Sequence, residues 1–156
     1  MPGNINWQSG AVQSFALQLS GQGAQITNGV ATGCSGILDN RGVSGGPGFF
    51  AVAQFQASQS GFGAATAANT SVDFYLVPSR DGVTYPNVDI AGANLPTGSL
   101  KGSFLVTVSG NNQAIMNLEN IPLMPLKYTG YIKNNTGQTL TSGWGIVIDL
   151  YSESYT

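Results

Sequence analysis

Alternating apolar and polar residues recur along the chain and form its clearest pattern. Successive side chains of a β-strand point to opposite faces, so this alternation predicts strands that bury one face. The alternating runs are residues 15–19, 72–77, 104–108, 128–133 and 144–151. The last run is strongly apolar and predicts an inner strand of the core. Residues 49–55 are apolar at almost every position, which indicates a strand buried on both faces or one at a subunit contact.

Turn-forming residues separate these runs. Asn28-Gly29 and Asp81-Gly82 are dipeptides that accept a positive φ at low cost, and each predicts a tight turn. Turn signals spaced about 8–12 residues apart are typical of a β-sandwich or barrel. The one helix candidate, residues 63–69, is short and suits a loop equally well. We therefore predict an all-β fold, an antiparallel β-sandwich.

Residues 121–126 are apolar but contain two prolines. Proline cannot donate a hydrogen bond to a neighbouring strand, which argues against a central strand here. The segment is predicted to be an edge or corner connection, or a patch that covers a neighbouring molecule. Residues 88–98 are predicted to form a polar loop.

Residues 1–10 are predicted to form an extended N-terminal arm, and residues 11–156 a single sandwich domain. The main apolar side chains of the arm, Ile5 and Trp7, stand among Asn, Gln, Ser and Gly. An arm of this composition has no strand face of its own to bury. We therefore expect these two side chains to contact another subunit, and the backbone of the arm to pair with a strand of that partner.

Composition limits the choice of partners. The chain has 156 residues, enough for one domain, and only 8% of them are charged, against about 25% in an average protein. The net charge of −2 gives weak repulsion between molecules and favours a homo-oligomer, a dimer or a trimer. The five cationic residues are scattered, which argues against binding to nucleic acid or to an anionic membrane. The N-terminal residues lack the pattern of a signal peptide, which predicts a protein made without an export signal.

The residues that usually carry chemistry are scarce. The chain has no histidine and one cysteine, Cys34, which excludes the common nucleophile pairs and the His- or Cys-rich metal sites. Cys34 is expected to be a small buried side chain or an idle thiol. No glycine-rich phosphate loop is present. We predict no cofactor, no metal and no catalysis, although a pair among the seven carboxylates could still act as in a glycoside hydrolase.

Aromatic and apolar residues outside the regular pattern are the remaining candidates for a binding surface. Trp144 begins a strongly apolar run, which predicts a place in the core. The candidate interface residues are Ile5, Trp7, Phe49, Phe62, Tyr85, Leu123 and Met124.

Two stretches resemble a known class of virion protein. Residues 72–85 read VDFYLVPSRDGVTY and residues 128–140 read YTGYIKNNTGQTL. These phrases resemble small virion proteins of tailed bacteriophages, and more narrowly capsid decoration (cement) proteins with a jelly-roll-like sandwich. The resemblance implies a jelly-roll-like fold and assembly in the bacterial host cytoplasm. It also implies a place on the capsid exterior, where an oligomer would clamp neighbouring subunits of the major capsid protein.

Two other functions remain open. A glycan- or receptor-binding module of a phage tail or appendage would need exposed aromatic rings lying in one plane. A glycan hydrolase would need two carboxylates that face each other across a cleft. A cement protein would instead show apolar edges and an extended arm.

Overall fold

The computed structural model describes residues 5–7, 13–18, 21–41, 48–57, 62, 70–86, 88, 95–106, 114–151 and 153–155. The first five strands are β1 (Ile5–Trp7), β2 (Gln13–Gln18), β3 (Ala31–Asp39), β4 (Phe50–Ala57) and β5 (Thr70–Ser79). A 3-10 turn (Thr97–Ser99) precedes β6 (Leu100–Val106). The last strands are β7 (Ala114–Pro122), β8 (Lys127–Asn135), β9 (Gly145–Tyr151) and β10 (Glu153–Tyr155). The helix candidate at 63–69 and most of the loop at 88–98 lie outside the described residues.

Eight of these strands form two four-stranded antiparallel sheets that pack face to face. Sheet 1 has the order β2-β9-β4-β7, and sheet 2 has the order β3-β8-β5-β6. The predicted antiparallel β-sandwich is therefore confirmed. The pairing is nested, because β5 pairs with β6, β4 with β7, β3 with β8 and β2 with β9. The strand at residues 145–151 lies inside sheet 1, as its apolar sequence predicted.

Burial alternates along β5, where Val72, Phe74 and Leu76 are buried as the alternating run predicted. In β4 also only every second residue, from Ala51 to Ala57, is buried against sheet 2, and the residues between them are partly exposed. The prediction that this strand is buried on both faces is therefore wrong within the chain, and the alternative of a subunit contact stays a prediction. Phe55 from this strand meets Phe104 of sheet 2 with ring centroids 5.5 Å apart, and Trp144 with centroids 6.4 Å apart. Trp144 lies in the core, as predicted. Burying a large apolar side chain is worth roughly 1.5–3 kcal/mol, so this aromatic cluster is a main contribution to folding.

One open side of the sandwich is closed by a close backbone contact. A Cβ at Gly36 in β3 would stand 2.6 Å from the carbonyl oxygen of Ala16 in β2, so only glycine lets the two edge strands approach this closely. The Ser35 N–H donates to the side-chain oxygen of Gln18 at 3.0 Å across the same junction. The two sheets are therefore joined along this side.

The two ends of the sandwich differ. Strand register brings Asn40, Phe49, residues 80–86 and residues 123–126 to one end, which we call the corner end. The segment 121–126 was predicted to be an edge or corner connection, and it is both. Its first two residues complete edge strand β7, and the rest form the corner that leads to β8 in the other sheet. The opposite end, formed by residues 21–30 and 136–144, is the far end.

The N-terminal strand has a partner within its own chain. Ile5 to Trp7 pair antiparallel with Glu153 to Tyr155, in a two-stranded sheet separate from the other two. We predicted that the arm would pair with a strand of another subunit, and the structure instead pairs it with the chain's own C-terminal strand. The side chains of Ile5 and Trp7, and the rest of residues 1–10, lie outside the described residues.

Candidate functional site

Exposed apolar side chains gather at the corner end. Phe49 is 53% exposed and Met124 is 66% exposed, and the exposed Pro122 and Pro125 lie beside them. We call these four residues the corner patch. The Leu123 N–H donates to the carbonyl of Phe49 at 2.9 Å, which holds the two exposed side chains on neighbouring segments. Large apolar side chains that gather on one surface are typical of a site that binds another molecule.

The corner that presents Met124 is held by hydrogen bonds. The Met124 N–H donates to the hydroxyl of Tyr128 at 2.8 Å, and that hydroxyl lies 3.1 Å from the Met124 carbonyl, to which it donates. The Leu126 N–H donates to the same carbonyl at 2.7 Å. Pro122 and Pro125 restrict the backbone further, because the proline ring fixes φ. Met124 is therefore exposed on a well-defined turn.

A buried asparagine joins the two segments of the corner patch. Asn40 is completely buried, and its Nδ2 group donates to the carbonyls of Gly48 at 2.7 Å and Met124 at 2.9 Å. Its Oδ1 accepts from the Gly48 N–H at 2.9 Å. Sequence reasoning missed Asn40, because an asparagine after a strand normally indicates only an exposed turn.

A cavity of about 420 Å³ opens beside Met124. Its walls include Pro78, Pro86, Pro122, Met124, Leu126 and Tyr128. Lys101 is the one charged residue among its described wall residues. Burial lowers the pKa of Lys101 from its ordinary value. The volume lies within the roughly 300–1,000 Å³ of small-molecule and side-chain pockets.

A shallower depression of about 500 Å³ lies on the other side of Pro78 and Pro86. Its walls include Asp81, Thr84 and Tyr85. The Tyr85 hydroxyl is buried and has no hydrogen-bond partner among the described residues. Tyr85 as a whole is partly exposed at the corner end. Its predicted role in an interface stays a prediction.

The charged groups of the corner end stabilise its loops. Asp39 accepts from Arg41 Nε at 3.1 Å and faces Lys127 Nζ at 3.3 Å. The hydrogen bond from the Arg41 side chain is the main reason that the pKa of Asp39 is lowered to about 2. Backbone N–H groups of Thr84 and Val83 hold the pKa of Asp81 well below its usual range, and Gly82 has a φ of 75°. Asp81 and Gly82 thus form the predicted turn.

Two of the predicted interface residues are core residues. Leu123 is 6% exposed and Phe62 is 8% exposed, and both belong to the core cluster. The corner turns the Leu123 side chain inward while Met124 points outward, and Phe62 forms an isolated bridge with Leu140 at the far end. Phe62 is therefore not an exposed surface contact. Leu123 is also packed in the core, but it lines the cavity beside Met124, so its predicted role in an interface stays a prediction.

A second surface lies on the outer face of sheet 2. Tyr75 and Tyr131 are directly opposed on β5 and β8, and both side chains are partly exposed. A Cβ at Gly33, on the next strand, would stand 3.3 Å from the Tyr131 ring, so this ring leans over the glycine. Beside the tyrosines, Asp73 accepts hydrogen bonds from Ser103 at 2.6 Å and from Asn135 at 2.7 Å. This face, which we call the tyrosine face, combines the aromatic rings of Tyr75 and Tyr131 with the hydrogen-bonding groups around Asp73.

The described residues offer few groups poised for chemistry. Burial raises the pKa of the Cys34 thiol to about 12, in accord with its expected place as a small packed side chain. Asp73 and Asp149 are engaged by neighbouring hydroxyl groups, Asp149 by Ser14. No group of three His, Cys, Asp or Glu side chains suited to a metal ion occurs in the described part of the chain. That part also contains no helix with the length and apolar character needed to cross a membrane.

No protein-family model matches the chain, and no curated protein matches it.

Proposed function

We propose that the protein is a non-enzymatic structural component of a virion, a capsid decoration protein that binds the outer surface of the major capsid protein. The observation that carries the proposal is the corner patch, in which exposed Phe49 and Met124 are held side by side by buried Asn40. This end of the sandwich would contact the capsid. The protein would be assembled in the bacterial host cytoplasm and would stabilise contacts between neighbouring capsid subunits.

The strand order supports a virion role. Nested antiparallel pairs in two four-stranded sheets are also the arrangement of a jelly roll, and this strand order supports our proposal that the sandwich is of the jelly-roll type. Viral capsid and lectin domains both use the jelly roll, so the fold by itself does not decide between them. The resemblance of residues 72–85 and 128–140 to decoration proteins favours the capsid.

The energetics of the corner patch suit docking to a protein. Fully burying a side chain such as Phe49 or Met124 is worth roughly 1.5–3 kcal/mol. Docking loses less conformational entropy when the contact residues are already held in place, and Asn40 and Tyr128 hold this corner. The low charge of the chain also favours a dimer or trimer that binds several capsid subunits at once.

The experiment is a capsid-binding assay with the double variant Phe49→Ser/Met124→Ser. Capsid shells would be assembled from the major capsid protein encoded in the same genome, and bound protein measured by co-sedimentation and located by electron microscopy. We expect at least a tenfold loss of affinity. Leu105→Ser is the matched control, because Leu105 is 68% exposed and lies on β6, away from the corner patch. Absence of the wild-type protein from shells, or equal binding by the double variant, would contradict the proposal.

The tyrosine face favours a second candidate, a glycan- or receptor-binding module of a phage tail or appendage. Sugars stack their apolar faces on aromatic rings, and Tyr75 and Tyr131 stand together beside Asp73 and Asn135. Screening the protein on a glycan array tests this function. Tyr131→Ala should abolish any signal, whereas Tyr151→Ala, on the outer face of sheet 1, should leave it intact.

A further inference from the structure

The cavity beside Met124 exists because two neighbouring strands end at different levels. Strand β6 begins at Leu100, opposite Tyr75, whereas its neighbour β5 continues to Ser79. The last residues of β5 therefore have no β6 neighbour on that side. The β7–β8 corner stands across the gap, and the cavity of about 420 Å³ lies between them. Backbone of both sheets thus frames the cavity.

The cavity walls are rigid and largely apolar. Pro78, Pro86 and Pro122 come from three separate segments and line it together. Proline has no N–H group and little backbone freedom, so these walls offer few donors and lose little entropy when a ligand enters. Tyr128 also lines the cavity, but its hydroxyl is already hydrogen bonded to Met124. An apolar group therefore suits the interior.

Lys101 supplies the single charge of the described cavity wall. The salt bridges formed by described residues all involve Asp39, and none of them includes Lys101. Prolines, Leu126 and Tyr128 line the cavity together with Lys101, and burial among them lowers the pKa of the Lys101 ammonium. A negatively charged group placed against an ammonium in such surroundings gains more than it would in water. The cavity is therefore complementary to a ligand with one negative charge next to an apolar group.

We infer that this cavity binds a peptide segment of the partner protein that carries a large apolar side chain next to a carboxylate, with the carboxylate on Lys101. The inference rests on the proposed function, because the segment would belong to the protein that the corner patch contacts. A single lysine matches the single charge of a carboxylate, whereas a phosphate group carries about −1.5 to −2 charge at pH 7 and would remain partly uncompensated beside one ammonium group. The carboxylate could be a chain terminus or an acidic side chain, and the two are separable by experiment.

Three peptides test the inference on the full-length protein. The first is acetyl-Gly-Gly-Leu-Phe with a free C-terminal carboxylate, the second is the same peptide with a C-terminal amide, and the third is acetyl-Gly-Glu-Phe-Gly amide. Binding is measured by NMR shift perturbation of residues around the cavity. We expect the first or third peptide to bind at least tenfold more tightly than the neutral second one, and the preferred peptide identifies the source of the carboxylate.

Variants assign the binding to the cavity. Lys101→Gln should lower the affinity for the preferred charged peptide about tenfold and leave the affinity for the neutral peptide unchanged. Met124→Ala should lower the affinity for both peptides. Lys133→Gln is the matched control, since Lys133 lies on β8 opposite Asp73 and away from the cavity. Equal binding of all three peptides, no binding of any, or an unchanged affinity in Lys101→Gln would each overturn the inference.

The capsid assay separates this inference from the proposed function. If Lys101→Gln binds shells like the wild type while Phe49→Ser/Met124→Ser does not, the capsid function stands and the cavity inference fails. If charged peptides bind in a Lys101-dependent way but the wild-type protein does not bind shells, the cavity site stands and the capsid function fails.

Discussion

The indole of Trp144 lies directly on the backbone of Gly23. A Cβ at Gly23 would stand 2.4 Å from two carbons of the ring, and the indole N–H donates to the neighbouring Ala24 carbonyl at 2.7 Å. Backbone hydrogen bonds also join Gly23 to Trp144 and to Gly143. The largest core side chain and the connection that covers it at the far end are therefore one packed unit.

Gly23→Ala is expected to destabilise the protein by about 1–3 kcal/mol, because the added methyl group must displace a buried indole. Thermal or urea unfolding followed by circular dichroism measures the change. Gly98→Ala is the matched control, since a Cβ at Gly98 meets nothing within 4 Å. Equal stability of the Gly23→Ala and Gly98→Ala variants would contradict the contact.

Asn40→Ala is expected to cost about 2 kcal/mol or more, because it leaves the buried groups of Gly48 and Met124 without partners. Asn117→Ala removes an asparagine that is exposed and accepts a single side-chain hydrogen bond, so its effect should be much smaller. Urea unfolding gives both values. The methyl signal of Met124 should also broaden or shift in Asn40→Ala, and an unchanged signal would show that Asn40 does not hold the corner patch.

Asp39 is expected to titrate at about 2 rather than at its ordinary value of 3.8, chiefly because the Arg41 side chain donates to it. Because the pKa of Asp39 is lower in the folded state than in the unfolded state, its contacts stabilise the protein at pH values above 3.8. This contribution is lost as the pH falls from 3.8 toward 2. The group is exposed, so the effect on stability is small and the NMR titration is the better measurement. Arg41→Gln should raise the midpoint toward 3.8. A wild-type midpoint at that value would refute the ion pair.

Cys34 is expected to resist alkylation in the folded protein at pH 8, because burial raises the pKa of its thiol to about 12 and little thiolate is present. A thiol reagent should react at the ordinary rate once the chain is unfolded in urea. Comparison of the two rates by absorbance or mass spectrometry tests this. Rapid reaction in the folded state would mean that the thiol is accessible.

The alternating runs predicted the strands well because the two-residue period of a strand fixes which side chains face the core. The runs at 72–77 and 104–108 illustrate this, since Phe74 is buried together with Val72, and Phe104 together with Val106, each two positions away. Phe62 and Leu123 stand outside the alternating runs, so the sequence around them has no two-residue period from which the burial of each side chain could be predicted. In such segments burial depends on the path of the backbone.

The residues that build the corner end were harder to predict. Asn40 is hydrogen bonded to Gly48 and to Met124, and Met124 lies 84 positions away in the sequence. Nothing near Asn40 in the sequence indicates that distant partner. The cavity at Lys101 likewise depends on the different lengths of β5 and β6, which only the strand register defines.

The nested pairing of strands also implies an order of folding. The innermost pair, β5 with β6, closes the shortest loop, and each outer pair encloses all the pairs inside it. If β2 and β9 had to meet first, residues as far apart as Ser14 and Asp149 would have to close one very long loop. Once the inner pairs have formed, that loop is effectively much shorter, and its entropic cost falls accordingly. Folding should therefore proceed from the middle of the chain outward, with the outer pair of β2 and β9 formed after the inner pairs. A nascent chain cannot complete sheet 1 until β9 has been synthesised.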